Sequence, residues 1–342
     1  GYRVYRSTTI DEWTNFNAYY TNLGGVTSFT DTNVGVGTSN FYSITAYDAA
    51  APYLNESWWS ASAGAMRVMN AVASNSATGL EYTTVQSAID AAANNYTVFI
   101  YTNTTNALVI AAKTNLTLMP TNAMVALSGP GSAAGSGISI INSVGVTVTN
   151  MFIDRWAHGV YVVNSDSNTI IATICSNNAA AESGGGIYGS NIRFSEIRGN
   201  IFSNLATNGG GIYFNSGHSN SIQSYILNNY STNGGGIYLL NSSSNSISGT
   251  ICNNSAKYGG GIYANNGFFN VFAGYIATNN ASLDGGGIDM EYSGYNTISA
   301  ALVCNSAYSG GGIMLSSSVS NTVSGIVASN QAEYAGGVDV YF

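Results

Sequence analysis

The chain has 342 residues, and only 7% of them are Asp, Glu, Lys or Arg, against about 25% in typical soluble domains. Its net charge of −8, with eight Lys and Arg residues, argues against a nucleic-acid partner, because phosphate binding needs a basic surface. No apolar run reaches the about 18 residues of a membrane-spanning helix. The chain starts at Gly1 rather than Met, which we interpret as a processed or incompletely determined N-terminus.

The first 60 residues alternate apolar and polar side chains, a pattern typical of an all-β sandwich. The alternating segments lie at 2–8, 26–34, 40–50 and 56–60. In order, the pieces YRVYRST, SFTDTNV, FYSITAYDAA and NESWWS resemble the last strands of a fibronectin type III domain. This resemblance implies a partial sandwich over 1–62, followed by a linker over 63–80.

A short helix is predicted just after the linker. Val85, Ala88, Ile89 and Ala92 follow the i, i+3, i+4, i+7 spacing of one helix face. Short apolar strands then follow one another from about residue 97 onward, with no second helix between them. The arrangement therefore excludes an alternating βαβ layout. A helix followed by strands is similar to the start of pectate-lyase-like proteins, and this resemblance implies a β-helix over 81–342 whose first coil is capped by the helix.

The second half of the chain carries a repeat. Seven copies of a Gly-rich motif end at Ile187, Ile212, Ile237, Ile262, Ile288, Ile313 and Val338. The steps between them are 25 or 26 residues, and a fixed period of this size indicates a solenoid or a related array.

Each repeat has three apolar positions and a corner Asn. Apolar side chains recur about 10 and 14 residues after each Ile, which predicts three short strands per coil and three parallel sheets. Asn tolerates the backbone geometry of a corner, and amides stacked one coil apart can bond to one another. The corner column consists of Asn204, Asn229, Asn254, Asn279, Asn305 and Asn330, and a second column consists of Ser195, Asn220, Asn245, Asn270, Asn296 and Asn321.

The motif N-x-A followed by GGGIY resembles the repeats of polymorphic outer-membrane proteins. The helix followed by stacked strands is similar to the start of pectate-lyase-like proteins. These resemblances imply an all-β fold, a right-handed parallel β-helix of about ten coils. They imply little about function, because such coils carry lyases, glycosidases, adhesins and inert shafts.

Two groups of residues are candidates for chemistry. Asp154, Arg155 and His158 combine an acid, a cation and a base, which could serve a polysaccharide lyase, although a structural turn is favoured. Asp284, Asp289 and Glu291 cluster on one coil, and the last two share one face of a strand. That spacing could suit a glycosidase or a calcium ion, although a solvated face or a contact to a neighbour is favoured. No cofactor or metal is predicted.

The three cysteines, Cys175, Cys252 and Cys304, lie on different coils and lack metal-type spacing. We expect all three to be buried as small hydrophobic side chains.

The residues that follow the repeat Ile are Tyr188, Tyr213, Tyr238 and Tyr263. Because side chains alternate along a strand, this column is predicted to face outward. An exposed aromatic ladder could stabilise its own sheet, pack against another chain or bind sugars.

The favoured function is a secreted or cell-surface structural protein that is not an enzyme. It is expected to polymerise with itself head to tail through Val338, Val340 and Phe342, because the last coil ends in GGVDVYF without a cap. The sandwich at the other end is expected to accept a strand from another copy. A carbohydrate-active enzyme and a glycan-binding adhesin are the alternatives.

Overall fold

The computed structural model describes residues 1–7, 21–24, 31, 39–47, 57, 60, 63–66, 71–76, 79–121, 124–131 and 134–342. They form two compact units. One unit comprises Gly1–Val72 and Thr78–Thr84, and the other comprises Ala73–Ala77 and Val85–Phe342.

The first unit contains an antiparallel sheet. Its strands, in spatial order, are Thr21–Gly24, Tyr2–Ser7, Ser39–Ala46 and Ala63–Met66, and a further short strand covers Glu81–Tyr82. Most of 26–34 and 56–60 lies outside the described residues, so the fibronectin type III-like sandwich stays a prediction. The segment expected to be a linker instead contributes strand Ala63–Met66 to this sheet, and Ala73–Asn75 is a strand of the second unit.

The second unit contains the predicted helix, which spans Val85–Ala91. Val85, Ala88, Ile89 and Ala92 are all buried, as the helical spacing predicts. Strand Ala73–Asn75 pairs antiparallel with Thr97–Ile100, and the solenoid continues from there.

The solenoid is built from three parallel sheets, which we name A, B and C. Sheet A contains Thr97–Ile100, Thr117–Pro120, Val125–Ser128, Thr147–Asp154, Thr169–Cys175, Glu196–Phe202, Ser221–Leu227, Ser246–Cys252, Val271–Phe272, Tyr275–Ala277, Thr297–Ile298, Ala301–Val303, Thr322–Val323 and Val327–Ala328. Sheet B contains Asn178–Ser183, Leu205–Asn208, Ser255–Tyr258, Asn280–Asp284, Ser306–Ser309 and Gln331–Tyr334. Sheet C contains Leu108–Ala111, Ser136–Ile141, His158–Asp166, Ile187–Arg193, Ile212–His218, Ile237–Leu240, Ile262–Asn265, Ile288–Glu291, Ile313–Ser316 and Val338–Tyr341.

Each coil runs from sheet C to sheet A, turns at the corner Asn, and returns through sheet B and the Gly motif. Residues one coil apart pair in register, as Ile212 pairs with Ile237 and Ile222 with Ile247. These Ile side chains are fully buried and form the interior of the solenoid. The chain is therefore the predicted right-handed parallel β-helix, with about nine turns rather than ten.

The Gly motif is required by the corner between sheets B and C. Gly209 has a φ of 59°, a left-handed conformation that L side chains rarely adopt. A Cβ atom on Gly210 would lie 2.6 Å from the carbonyl oxygen of Tyr230. The next coil thus passes too close to admit any side chain at this position.

Candidate functional site

The corner between sheets A and B holds a continuous column of buried amides. Asn254 is representative: its Nδ2 donates to Asn279 Oδ1 at 3.0 Å and to the carbonyl oxygen of Ile226 at 2.9 Å. Its Oδ1 accepts from both the backbone nitrogen and Nδ2 of Asn229. The column consists of Asn177, Asn204, Asn229, Asn254, Asn279, Asn305 and Asn330. Between the two ends of the column, each amide is thus saturated by the coils above and below, which fixes the corner and the coil spacing.

A second amide column stands at the corner between sheets C and A. It runs through Asn220, Asn245, Asn270, Asn296 and Asn321 with the same bonding pattern. Ser195 occupies the preceding coil. Its hydroxyl accepts from the backbone nitrogen of Asn168, but Asn168 Nδ2 is buried and has no hydrogen-bond partner among the described residues. The column is therefore interrupted at Ser195.

The tyrosine column of sheet C is buried, which corrects the prediction of an exposed ladder. Tyr213, Tyr238 and Tyr263 are only 7–8% exposed and form an apolar cluster of their own. Ring centroids of successive members from Tyr161 through Tyr188 to Tyr263 are 4.7, 5.4, 5.4 and 4.8 Å apart. The rings are therefore covered by one another and by neighbouring side chains, and their faces are closed to a sugar.

Tyr188, Leu240 and Tyr258 complete the cover of this cluster. Tyr258 comes from sheet B, where strand Ser255–Tyr258 precedes the Gly turn. Burial raises the pKa of Tyr238 to about 12. It also raises the pKa of Tyr263, and the hydrogen bond from that hydroxyl to Glu291 adds to the effect.

The column ends in an acidic position. Asp289 pairs in register with Tyr263 below and with Met314 above, so a carboxyl stands where the preceding coils have a ring. Asp289 is 4% exposed, which corrects the prediction of a solvated face. Burial raises its pKa well above the usual range, and the nearby carboxyl groups of Asp284 and Glu291 raise it further.

Glu291 does not face Asp289 freely. It accepts hydrogen bonds from the hydroxyl of Tyr263 and, at 2.8 Å, from Nδ2 of Asn265. Across the described residues, no group of three or more His, Cys, Asp or Glu side chains is arranged to hold a metal ion. The two carboxyl groups that could have suited a calcium ion therefore have different surroundings. Asp289 is buried, whereas Glu291 is hydrogen-bonded to Tyr263 of the tyrosine column.

The other candidate group lies at the turn between strands Thr147–Asp154 and His158–Asp166. Asp154 accepts from the hydroxyl of Ser128 at 2.5 Å and forms an ion pair with Arg155 at 3.2 Å. His158 is buried, with its ring nitrogens 2.9 Å from the carbonyl oxygen of Gly184 and 2.7 Å from Glu182 Oε2. The turn therefore joins adjacent coils through these contacts.

An exposed aromatic surface lies at the turn from sheet C toward sheet A. Phe269, Tyr292 and Tyr295 are 54–60% exposed and have φ values of 48–59°. The rings of Phe269 and Tyr295 stack with centroids 5.3 Å apart and planes 15° apart. Equivalent left-handed positions in other coils hold Ser219, Ser244 and Ser320. Sequence reasoning missed this surface, although aligning the columns seven and four residues after the repeat Ile would have revealed Phe269 and Tyr295 in the first and Tyr292 in the second.

The remaining predicted residues divide between buried and exposed positions. Cys175 is buried and Cys252 is half-buried, but Cys304 is exposed, which corrects the prediction for that residue. Cys304 has a φ of 56° and follows strand Ala301–Val303, so it lies on a corner rather than in the interior. No helix among the described residues is long and apolar enough to cross a membrane.

Comparison with protein families matches residues 136–303 to the family described as right handed beta helix region. The matched segment begins in sheet C at strand Ser136–Ile141 and ends in sheet A at strand Ala301–Val303. Comparisons with curated proteins and with solved structures find no match.

Proposed function

We propose that this right-handed parallel β-helix repeat protein is a non-enzymatic structural protein that forms filaments outside the cell or at its surface. The two buried amide columns carry the proposal. They place a saturated amide on nearly every coil of the repeat, which gives a stiff shaft whose coils all have one spacing.

End-to-end assembly is supported by the constancy of the register. Every coil presents the same backbone groups to the next coil. Ile262 pairs in register with Ile288, and Ile288 pairs in register with Ile313. A coil from a second copy could continue this pairing, and a contact that repeats without closing builds a fibre. The contact is predicted to involve Val338, Val340 and Phe342, the first two of which lie on strand Val338–Tyr341 of sheet C.

A structural role is also supported by the contacts of the candidate catalytic groups. His158 is buried against Gly184 and Glu182, and Glu291 is held by Tyr263 and Asn265. These contacts link neighbouring coils. A lyase or glycosidase at Asp154–His158 or Asp284–Glu291 remains the enzymatic alternative, and turnover of a pectin-like polymer that is lost in Asp154→Ala or Asp289→Ala would favour it.

Electron microscopy of the purified full chain tests the proposal. We expect unbranched filaments, and we expect Val340→Lys to reduce them because a buried ammonium group is costly. Asn280→Lys, on the exposed side of a sheet B strand, is the matched control and should leave the filaments intact. A wild-type protein that stays monomeric at high concentration would contradict the proposal.

A second candidate function, glycan binding, is favoured by the exposed aromatic surface of Phe269, Tyr292 and Tyr295. Bulky residues in left-handed backbone are costly, and retained strain of this kind often marks a functional position. Small serines flank the stacked pair in the same column, Ser244 before Phe269 and Ser320 after Tyr295. A sugar ring could therefore extend the stack on either side.

A glycan array with the wild-type chain and the double variant Phe269→Ser/Tyr295→Ser tests this function. Because serine occupies the equivalent corners elsewhere, the double variant should fold normally and lose binding. Phe194→Ser is the matched control, since Phe194 is an exposed left-handed aromatic residue at the same position of another coil. Equal binding by all three proteins would remove this candidate.

A further inference from the structure

Asp289 is a buried acidic residue whose carboxyl group makes no hydrogen bond among the described residues. Its strand, Ile288–Glu291, lies between Ile262–Asn265 and Ile313–Ser316 in sheet C. Only 4% of the residue is exposed to solvent, and among the described residues no hydrogen bond reaches its carboxyl oxygens. Burying an ionised carboxylate is unfavourable unless a cation or several donors compensate it. Burial therefore favours the neutral, protonated form of this carboxyl group.

The ionisable groups that act on Asp289 are all acidic. Asp284 faces it from the sheet B strand Asn280–Asp284, and Glu291 faces it from its own strand. Tyr263 faces it from the preceding sheet C strand, while the following strand places Met314 there. Asp339 acts on Asp284 in turn. No basic side chain is among these groups, so ionisation of Asp289 adds a negative charge to negative surroundings.

We propose that Asp289 makes the coil segment 280–291 a pH-sensitive element, which stays closed while the carboxyl group is neutral and opens locally once it loses its proton. Opening lets the carboxylate reach water and relieves its repulsion from Asp284 and Glu291. Asp289 packs against the start of the Gly285–Gly287 turn, since a Cβ added to Gly285 would lie 2.4 Å from the Asp289 Cβ.

The direction of the pH dependence follows from proton linkage. Burial and the neighbouring carboxyl groups raise the pKa of Asp289, and burial raises that of Asp284. The closed form therefore holds a proton that the open form releases near the usual Asp pKa of about 3.9. The closed form is favoured most below that pH, and it is destabilised as pH rises until Asp289 also ionises in the closed coil.

Hydrogen exchange measured by mass spectrometry on the full chain tests this element. After correction for the intrinsic rate, opening of segment 280–291 should rise by up to about tenfold per pH unit above pH ~4, because one proton is linked to it. Segment 234–240, with Tyr238 at the equivalent position, should show no such rise. Asp289→Asn should keep segment 280–291 closed at every pH, whereas Glu333→Gln, an exposed acid, should behave as wild type.

A wild-type segment whose opening does not change with pH would overturn the proposal, and so would an Asp289→Asn variant that opens as the wild type does. If adding CaCl₂ at neutral pH closes the wild-type segment to the level of Asp289→Asn, the carboxyl groups bind a cation instead, which also overturns it. Should Asp289→Asn not fold, Asp284→Asn provides the test. It removes one repelling charge and should lower the opening at neutral pH, and an unchanged opening would contradict the mechanism.

Discussion

Asn168 and Ser195 occupy successive coils of the same corner column, and the change from amide to hydroxyl leaves Asn168 Nδ2 buried without an acceptor. In later coils of this column, the Oδ1 of the next Asn accepts from both the backbone nitrogen and the Nδ2 of the Asn before it. A serine hydroxyl reaches only the backbone nitrogen. An Asn at position 195 would therefore supply the acceptor that Asn168 Nδ2 lacks.

Ser195→Asn should stabilise the protein by about 1 kcal/mol, because it supplies the missing acceptor to Asn168 and extends the column toward Asn220. Urea unfolding of the two proteins measures the change. Ser246→Asn adds an amide to an exposed strand position and serves as the control, which should not gain stability. A less stable Ser195→Asn protein would show that the corner cannot hold a longer side chain.

Asn254→Leu should destabilise the protein by roughly 1–3 kcal/mol for each donor left unpaired, because two donors of Asn229 lose their acceptor. Denaturant unfolding again provides the measurement. Asn280→Ala, at an exposed position, should cost less than about 0.5 kcal/mol. Equal losses for the two variants would mean that the buried column contributes no more than a surface amide.

Gly235→Ala should destabilise the protein by about 3 kcal/mol, since the added Cβ would lie 2.5 Å from the carbonyl oxygen of Gly260 and must displace backbone. Gly131→Ala is the control. Its φ of 78° makes alanine unfavourable, but no atom lies within 4 Å of the added Cβ, so only a backbone cost of roughly 1–2 kcal/mol is expected. Thermal unfolding distinguishes the steric cost from the conformational one.

Stability should fall as pH rises above about 10, because unfolded tyrosines ionise there while the pKa of buried Tyr238 is about 12. In the folded protein the Tyr238 hydroxyl keeps its proton to higher pH than it does in the unfolded chain. The unfolded state therefore gains stability relative to the folded state as the pH rises from about 10 to about 12. Tyr238→Phe removes this contribution and should flatten the decline by on the order of 1–2 kcal/mol. Tyr225→Phe, an exposed tyrosine on sheet A, should leave the alkaline profile unchanged.

Gln86→Ala should increase aggregation. The Gln86 amide donates to the carbonyl oxygen of Val109 at 2.9 Å and accepts from its backbone nitrogen at 2.8 Å. It thus occupies the edge of strand Leu108–Ala111, which within the described residues pairs only with Ser136–Ile141. Free strand edges promote association between chains. Light scattering should rise for this variant and stay low for Gln223→Ala, whose side chain is exposed on sheet A.

The spacing of apolar and Asn residues was sufficient to predict the solenoid. The buried Asn column likewise follows from amides repeated at one corner. The helix Val85–Ala91 was predictable for the same reason, since Val85, Ala88 and Ile89 share a face. The assignment of one apolar position to each sheet was wrong, however, because Ile222 and Ile226 share strand Ser221–Leu227 of sheet A. Sheet B instead buries the small residue after the corner Asn, such as Ala206 of strand Leu205–Asn208. Local periodicity decides which side chains point into the coil.

Periodicity does not decide what covers the outside. Tyr238 and Asp289 face away from the interior, and alternation alone assigned them to solvent. They are buried because sheet B turns toward sheet C at the Gly motif and brings Tyr258 and Asp284 alongside them. The angle between sheets B and C depends on how the two sheets pack, which the pattern of a single strand does not reveal. The same limit applies to Cys304, which lies one residue beyond its strand.

The one-way donation within the Asn column has an electrical consequence. Every amide from Asn204 to Asn305 donates one Nδ2 hydrogen to the Oδ1 of the next Asn in the same direction, and its other hydrogen goes to a carbonyl oxygen of the preceding coil. The amide-to-amide dipoles therefore add along the axis, as peptide dipoles add along an α-helix. Turning one coil over would oppose two donors or two acceptors. Any stack that extends this column must therefore be polar, with every subunit pointing the same way.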